Sequence, residues 1–429
     1  MKQALSYEAL RQVVVEQQEE IVHLRGLPLV ERDKMKNLLD VLDSNWIKVV
    51  MGIRRCGKSI LCHQALKDKD YGYLNFDDER LISLSAPDLN KMLQYLLEIK
   101  PNVKLLFFDE IQNVEGWELF VNRLQRQGYN LIITGSNSKL LSKELASHLT
   151  GRYIPIELSP FSFSEFLRAK KFSWSSTSLY KTQDRALLYA FLDEYLTKGG
   201  FPDMVLGGYN PVYLRELYDK IISRDITYRY RIKYSKTLKE IAIYANANLS
   251  SRLTFHKLKN IFEISSIHTV KNYCQYLTDA YLLFLLNAFS YKYKEQIKQP
   301  RKIYTIDNGL TSAISPKFTE DRGAALENLV FQELMRRAAD TAYYGAPDCE
   351  IDFVILANRK VTSLIQVAFS MEDPTTRKRE IKALIKAAGD LRCKSLSIIT
   401  WEEEGIEEID GYKIEIIPIW KWLLSISSE

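Results

Sequence analysis

The chain has 429 residues, 46% of them hydrophobic and 26% charged, with a formal net charge of +5. That make-up excludes fibrous and disordered classes and leaves room for about two to four globular domains. Five cysteines with no C-x-x-C pair exclude a disulfide framework and a zinc knuckle, and the polar N-terminus "MKQALSYEALRQVVVEQQEE" and a longest apolar run of only "YLLFLL" point to the cytoplasm, away from any membrane.

Residues 5–24 carry the spacing of an amphipathic helix and residues 33–45 that of a second, ahead of the apolar strand "IKVVM". Strand-like and helical patterns then alternate through "GYLNF", "APDLNKMLQYLLEI", "VKLLFFDE", "GWELFVNRLQRQG", "NLIITGS", "SKLLSKELASHLTG" and "RYIPIEL". Apolar strands interleaved with helices predict an α/β, doubly wound parallel sheet. The Ser-rich stretch at 172–178 reads as the boundary after it. Residues 183–230 look helical, broken at "KGGFPD", where Gly-Gly and Pro cannot continue a helix, and they suit a small helical lid. Three short helical patterns over 235–279, then strand-like "YLLFLLNAF" and "RKIYTID", outline a winged helix-turn-helix. From about residue 320 a helix, the strands "EIDFVIL" and "SLIQVAF", a basic helix and "SLSIITW" form a last α/β unit. Charge is uneven: residues 211–302 hold 17 Lys and Arg against 7 Asp and Glu, an asymmetry that points toward nucleic acid or toward a merely solvated basic face.

Gly52-Ile-Arg-Arg-Cys-Gly-Lys-Ser59 satisfies G-x-x-x-x-G-K-[ST] between a strand and a helix. In that motif the backbone from Gly52 through Arg54, Arg55, Cys56 and Gly57 to Ile60 wraps phosphates, Lys58 reaches the β and γ oxygens, and the Ser59 hydroxyl ligates Mg²⁺. The expected ligands are therefore ATP and Mg²⁺. Some fifty residues later "KLLFFDE" delivers Asp109 to hold the metal and Glu110 to polarise the attacking water. Ser136 and Asn137 end the next strand, where they either orient that water or cap the following helix. Arg54 and Arg55 have two open roles, the γ-phosphate or the acidic residues of the sheet.

In the winged-helix segment, residues 265–277 read as the recognition helix, presenting Ser266, His268, Thr269, Lys271 and Asn272 near its start while Val270, Tyr273 and Leu277 pack inward; Arg252, Lys257 and Lys259 can take phosphates. Duplex DNA is one expected partner. A protein partner is the other, since winged helices also serve as docking modules.

The segments "GIRRCGKS", "NFDDER", "FFDEIQNVEGWE", "TGSNSKLLS", "LTGRYIPIELSPFSFSEFL", "GGFPD" and "IYTIDNGL" resemble, in this order, a large prokaryotic family of AAA-type (AAA+/STAND-like) P-loop ATPases whose chains continue into a conserved domain of unknown function. The resemblance implies a P-loop AAA-type core over 34–171 after an N-terminal helical segment 1–33, a helical lid over 179–232, a winged helix over 233–305 and a PD-(D/E)XK restriction-endonuclease-like α/β domain over 318–429. It marks Arg152 as an arginine finger acting on a neighbouring subunit of a homo-oligomer, the alternative being a helix C-terminal arginine. It also aligns Glu327, Asp352 and Gln366 with a nuclease site. There Gln366 replaces an acid and Ala368 a lysine, so the domain is expected to be a catalytically inactive remnant unless Arg377 or Lys378 supplies the missing cation.

Overall fold

The computed structural model describes residues 6–25, 29–136, 152–175, 181–315 and 321–425. Its contacts divide the chain after Ser159 into two compact units.

The first unit is built on five parallel strands, β1 (Ile47–Met51), β2 (Gly72–Asn75), β3 (Leu105–Asp109), β4 (Asn130–Gly135) and β5 (Tyr153–Glu157), in the order β2-β3-β4-β1-β5. Every residue of β1 and β3 is buried, as strands covered by helices on both faces require. Helices Lys58–Ala65, Ala86–Ile99 and Trp117–Arg126 make the crossovers. The Ala86–Ile99 helix starts on a reciprocal Ser85/Asp88 capping box with a proline in its first turn. An N-terminal helix, Tyr7–Arg25, buries Leu10, Val13 and Val14 in the same core as Leu74, Phe76, Leu89 and Met92. Its Gln17 side chain exchanges two hydrogen bonds with the Asn75 backbone, both 3.0 Å, and Gln18 bonds Tyr73 in the same manner at 2.6 and 3.3 Å.

The second unit begins with helix Phe163–Ala169, capped by Ser162 and Glu165. Helices Thr182–Lys198, Pro202–Gly207, Pro211–Lys220 and Ser235–Ala247 follow, with a π-helical stretch at Ile221–Tyr228. Three short strands, β6 (Arg252–Leu253), β7 (Phe284–Leu286) and β8 (Arg301–Tyr304), pair antiparallel in the order β6-β8-β7. Helices Phe255–Ile261 and Ile267–Asp279 lie between β6 and β7 in the chain. The C-terminal part is a six-stranded mixed sheet, β9 (Asp340–Ala346), β10 (Cys349–Ala357), β11 (Lys360–Val367), β12 (Leu396–Thr400), β13 (Gly405–Ile409) and β14 (Tyr412–Pro418), ordered β13-β14-β12-β11-β10-β9. β11, β12 and β14 run parallel, while β9, β10 and β13 join as antiparallel hairpins. Helices Arg322–Arg336 and Pro374–Leu391 accompany this sheet. All five cysteines are free and buried. Among the described residues no helix is long and apolar enough to cross a membrane.

The "GGFPD" and "IDNGL" segments, 107 residues apart, turn out to be one joint. The Asp307 carboxylate caps helix Asn308–Ile314 through Leu310 N–H at 2.9 Å and accepts Gly200 N–H at 2.7 Å. Gly199 has φ +75°, and a methyl there would lie 2.1 Å from Asp307 Oδ1, so only glycine meets both demands. Burial raises the Asp307 carboxyl while these N–H groups hold it down, with a net upward shift. Asp307→Ala removes a helix cap and strands a buried Gly200 N–H. It is expected to cost roughly 2–4 kcal/mol in urea unfolding, with Asp307→Asn, which keeps an acceptor oxygen, costing clearly less.

Candidate nucleotide site and carboxylate cluster

The parallel order places the ends of β1, β4 and β3 side by side at the carboxyl edge of the first sheet, where ligands of open α/β sheets bind. The loop after β1 turns at Gly52, whose added methyl would sit 1.9 Å from Leu158 O, and enters its helix through Gly57 in the left-handed region at φ 96°. Lys58, only 4% exposed, reaches Glu110 Oε1 at 3.2 Å and donates to the carbonyls of Gly52 and Ile53 at 3.2 and 3.3 Å. Burial works against its ammonium, but Glu110, Cys56 and Asp109 outweigh that and raise it above its ordinary value.

β4 separates β1 from β3 and supplies the connecting polar groups. Thr134 donates its hydroxyl to Asp109 and accepts Glu110 N–H at 2.9 Å, while Ser136 N–H donates to Glu110 Oε2 at 3.2 Å. Glu110 itself adopts φ 51°, turning its carboxylate out of the β3 direction and toward Lys58. Gln112 donates to the same carboxylate. Asp109 accepts from Ser59 and Thr134, yet burial and the neighbouring Glu110 charge raise its carboxyl overall. The structure thus brings together Lys58, Ser59, Asp109, Glu110 and Ser136. Asn137 lies outside the described residues.

Arg54 is buried and pairs with Asp77, in the loop after β2, at 2.9 Å, whereas Arg55 is exposed with φ 67°. Cys56 is buried, its thiol donating to Leu158 O at 3.2 Å, and Ile60 is half-buried on the first helical turn. Arg152, just before β5, is exposed. One residue that motif spacing does not reveal is Arg32. From a segment preceding β1 it donates to Cys56 O and Ser159 O, both at 2.7 Å, fastening the phosphate loop to the end of β5.

The donor set suits Mg²⁺ with a nucleotide. Mg²⁺ keeps several waters and substrate oxygens and takes one or two protein ligands, and the hydrogen-bonded Ser59 hydroxyl and Asp109 carboxylate offer two oxygens. The Ser136 hydroxyl is buried with no hydrogen-bond partner among the described residues, a polar atom in want of a polar ligand. No group of three His, Cys, Asp or Glu side chains with metal-binding geometry occurs among the described residues.

In the second unit His268, Lys271 and Asn272 are exposed and Thr269 half-buried on helix Ile267–Asp279, while Val270, Tyr273 and Leu277 are buried. Lys257 is exposed and Lys259 half-buried on the preceding helix. Glu327, Asp352 and Gln366 also converge: Gln366 Oε1 accepts Asp352 N–H at 3.2 Å, and its amide donates to Glu380 at 2.8 Å. Arg377 pairs with Glu407, and Lys378 lines a groove beside the cluster. The ammonium that does face these carboxylates is Lys302, from β8, 2.9 Å from Glu327, 2.9 Å from Glu350 and 2.7 Å from Asp352. Burial and the Asp352 charge push the Glu327 carboxyl up to about 7 against the pull of Lys302.

Burial alone would raise Glu110, but Lys58 and Arg54 override it and hold the carboxyl at about 2, against 4.5 for a free side chain. A folded value below the unfolded one adds stability that is complete above pH 4.5 and is lost as the pH falls toward 2. Glu110→Gln is expected to destabilise the protein by about 1–3 kcal/mol near neutral pH, with the difference from wild type shrinking below about pH 4.5 in urea unfolding. A difference unchanged down to about pH 3 would contradict the pairing.

Residues 44–167 match a family described as an AAA domain, and residues 190–321 match a domain of unknown function, DUF8612. An uncharacterized protein of Methanocaldococcus jannaschii is 40% identical over 430 residues, 95% of each chain. An uncharacterized protein of Haemophilus influenzae is 31% identical over 409 residues, 91% of this chain and 97% of its own. Among solved structures, the Walker-type ATPase of Pyrococcus abyssi aligns with a TM-score of 0.44 at 13% identity, over 68% of this chain and 99% of that one. The chain belongs to the family it shares with the Methanocaldococcus and Haemophilus proteins, and in this chain an AAA domain is followed by a DUF8612 domain.

Proposed function

We propose that the protein is a Mg²⁺-dependent ATPase that works as a nucleotide-driven conformational switch, associated with DNA through a winged helix and carrying a catalytically inactive nuclease-like domain. The observation that carries the ATPase reading is the convergence of Lys58, Ser59, Asp109 and Glu110 at the carboxyl edge of one parallel sheet. Lys58 neutralises phosphate charge, and the N–H groups from Gly52 to Ile60 cradle the phosphate oxygens. Mg²⁺, held by Ser59 and Asp109, would supply further charge neutralisation. Glu110, ionised and hydrogen-bonded to Ser136 N–H, accepts a hydrogen bond from the attacking water and aligns it. Arg152, exposed before β5, serves as a finger toward a neighbouring copy.

The β6-β8-β7 order with helices Phe255–Ile261 and Ile267–Asp279 supports a winged helix over 233–305, preceded by a helical lid over 179–232. Exposed His268, Lys271 and Asn272 at the start of the second helix support major-groove contact. The mixed sheet with Glu327, Asp352 and Gln366 together supports the nuclease-like reading of 318–429, and Ala368 supports its inactivity. A second reading, a regulatory switch that docks proteins, is favoured by Tyr291, Tyr293 and Ile297, which expose 60–74% of their surface between β7 and β8.

Lys58→Ala is expected to abolish ATP binding in a fluorescent-nucleotide titration, while Glu110→Gln binds ATP and hydrolyses it at least about 100-fold more slowly. Wild-type turnover by Glu110→Gln would remove the assigned site. Duplex DNA is expected to raise ATP turnover, with the rise suppressed by added salt and by Lys271→Ala; turnover indifferent to DNA across salt concentrations would favour the protein-docking reading.

A further inference from the structure

Arg252 on β6 stands directly opposite Lys302 on β8, and opposed residues in an antiparallel ladder project from one face. Glu350 and Asp352 on β10 are two residues apart and likewise share a face. The two pairs meet. Arg252 lies 2.7 Å from Glu350 Oε2, and Lys302 lies 2.9 Å from Glu350 Oε1, 2.7 Å from Asp352 Oδ1 and 2.9 Å from Glu327 Oε1. Lys302 is 2% exposed, and its ammonium has three N–H groups for three carboxylates. Neighbouring donors add to the hold: Tyr304 donates to the same Glu327 oxygen, Oε1, at 2.6 Å, and Val367 N–H to the other Asp352 oxygen, Oδ2, at 2.9 Å. A groove of about 1070 Å³ opens beside the cluster, lined by Arg252, Glu350, Asp352 and Gln366 among others, so small ions have a route to Glu350 and Asp352.

We propose that Lys302 is a tethered cation that closes this carboxylate cluster to divalent metal and, with Arg252, locks the three-stranded sheet onto the six-stranded one. A covalently attached ammonium competes at a high effective concentration that a free ion in solution must exceed. It also satisfies the carboxylates with a single charge and no open coordination position, which leaves nothing to activate a water. Opening the cluster requires β8 to withdraw from β10 and to carry both cations with it. The inference rests on side-chain geometry within the second unit and stands whether or not the first unit hydrolyses ATP.

The test is thermal unfolding of the full chain without nucleotide, in MnCl₂ or in EDTA. The wild type is expected to unfold at the same midpoint in both. Lys302→Met is expected to fall below wild type in EDTA and to regain at least about 3 °C in Mn²⁺, a gain that Lys302→Met/Asp352→Asn loses. Lys302→Met leaves three carboxylates facing one arginine and can fail to fold; Lys302→Met/Glu327→Gln, with one charge fewer, then carries the same comparison. If neither folds in EDTA, the yield on refolding from urea is read instead, and equal yields in Mn²⁺ and EDTA overturn the proposal. So does a folded Lys302 variant indifferent to Mn²⁺, or a wild-type midpoint that rises in Mn²⁺ and ceases to do so with Asp352→Asn.

Discussion

An ammonium group withdrawn from water must be surrounded by oxygen atoms or it loses its proton or its place, and much of the first unit is arranged around that demand at Lys58. Two of its oxygens come from the phosphate loop itself, at Gly52 and Ile53, and the third from Glu110. Yet Glu110 sits at the end of β3, and β4 lies between β3 and β1. The backbone at Glu110 turns left-handed, and Thr134 and Ser136, at the end of β4, hold the turned segment. In the proposed ATP complex, phosphate oxygens would take the place of Glu110 at Lys58, so the ammonium would change partners without being exposed and Glu110 would be released toward water.

Three buried lysines in this chain show how the partner's charge decides the outcome. Lys48, on β1, is fully buried but meets only Ser44 O at 2.6 Å and the neutral Asn130 amide oxygen at 2.5 Å. Burial lowers it to about 8 against the opposing pull of Asp43. Lys58 and Lys302 are comparably buried, yet both are raised, because ionised carboxylates face them. Neutral acceptors satisfy the geometry of an ammonium. Only anions compensate its lost hydration.

The phosphate loop, the strand carrying Asp109 and Glu110 and the alternation of strands and helices were legible because each is written within a few consecutive residues. The inward packing of Val270, Tyr273 and Leu277 was legible from helical spacing alone. Lys302 was not, since it lies 25 residues from Glu327 and 50 from Asp352 and meets them only through the tertiary fold. The only cations that the sequence suggested for this site, Arg377 and Lys378, lie on the helix next in the chain, Pro374–Leu391, whereas the ammonium that faces the carboxylates comes from another sheet. Arg32 escaped for the same reason, as a single arginine outside any motif whose partners are backbone carbonyls. The glycines of "GGFPD" read as a turn, but their need for a carboxylate at Asp307 belongs to a contact that no local pattern encodes.

The paired glutamines of the N-terminal helix carry one more consequence. β2 is the outermost strand of its sheet, and along such a strand every second residue turns its N–H and C=O outward. Tyr73 and Asn75 are two such residues, and the adjacent Gln18 and Gln17 answer them with side-chain amides that present an acceptor and a donor each, as a neighbouring backbone would. A helix thereby completes the ladder without adding a strand. Another chain that tried to extend the sheet by edge-to-edge pairing would find these positions already taken, so the helix protects the protein from self-association along that border while it fills the core behind it.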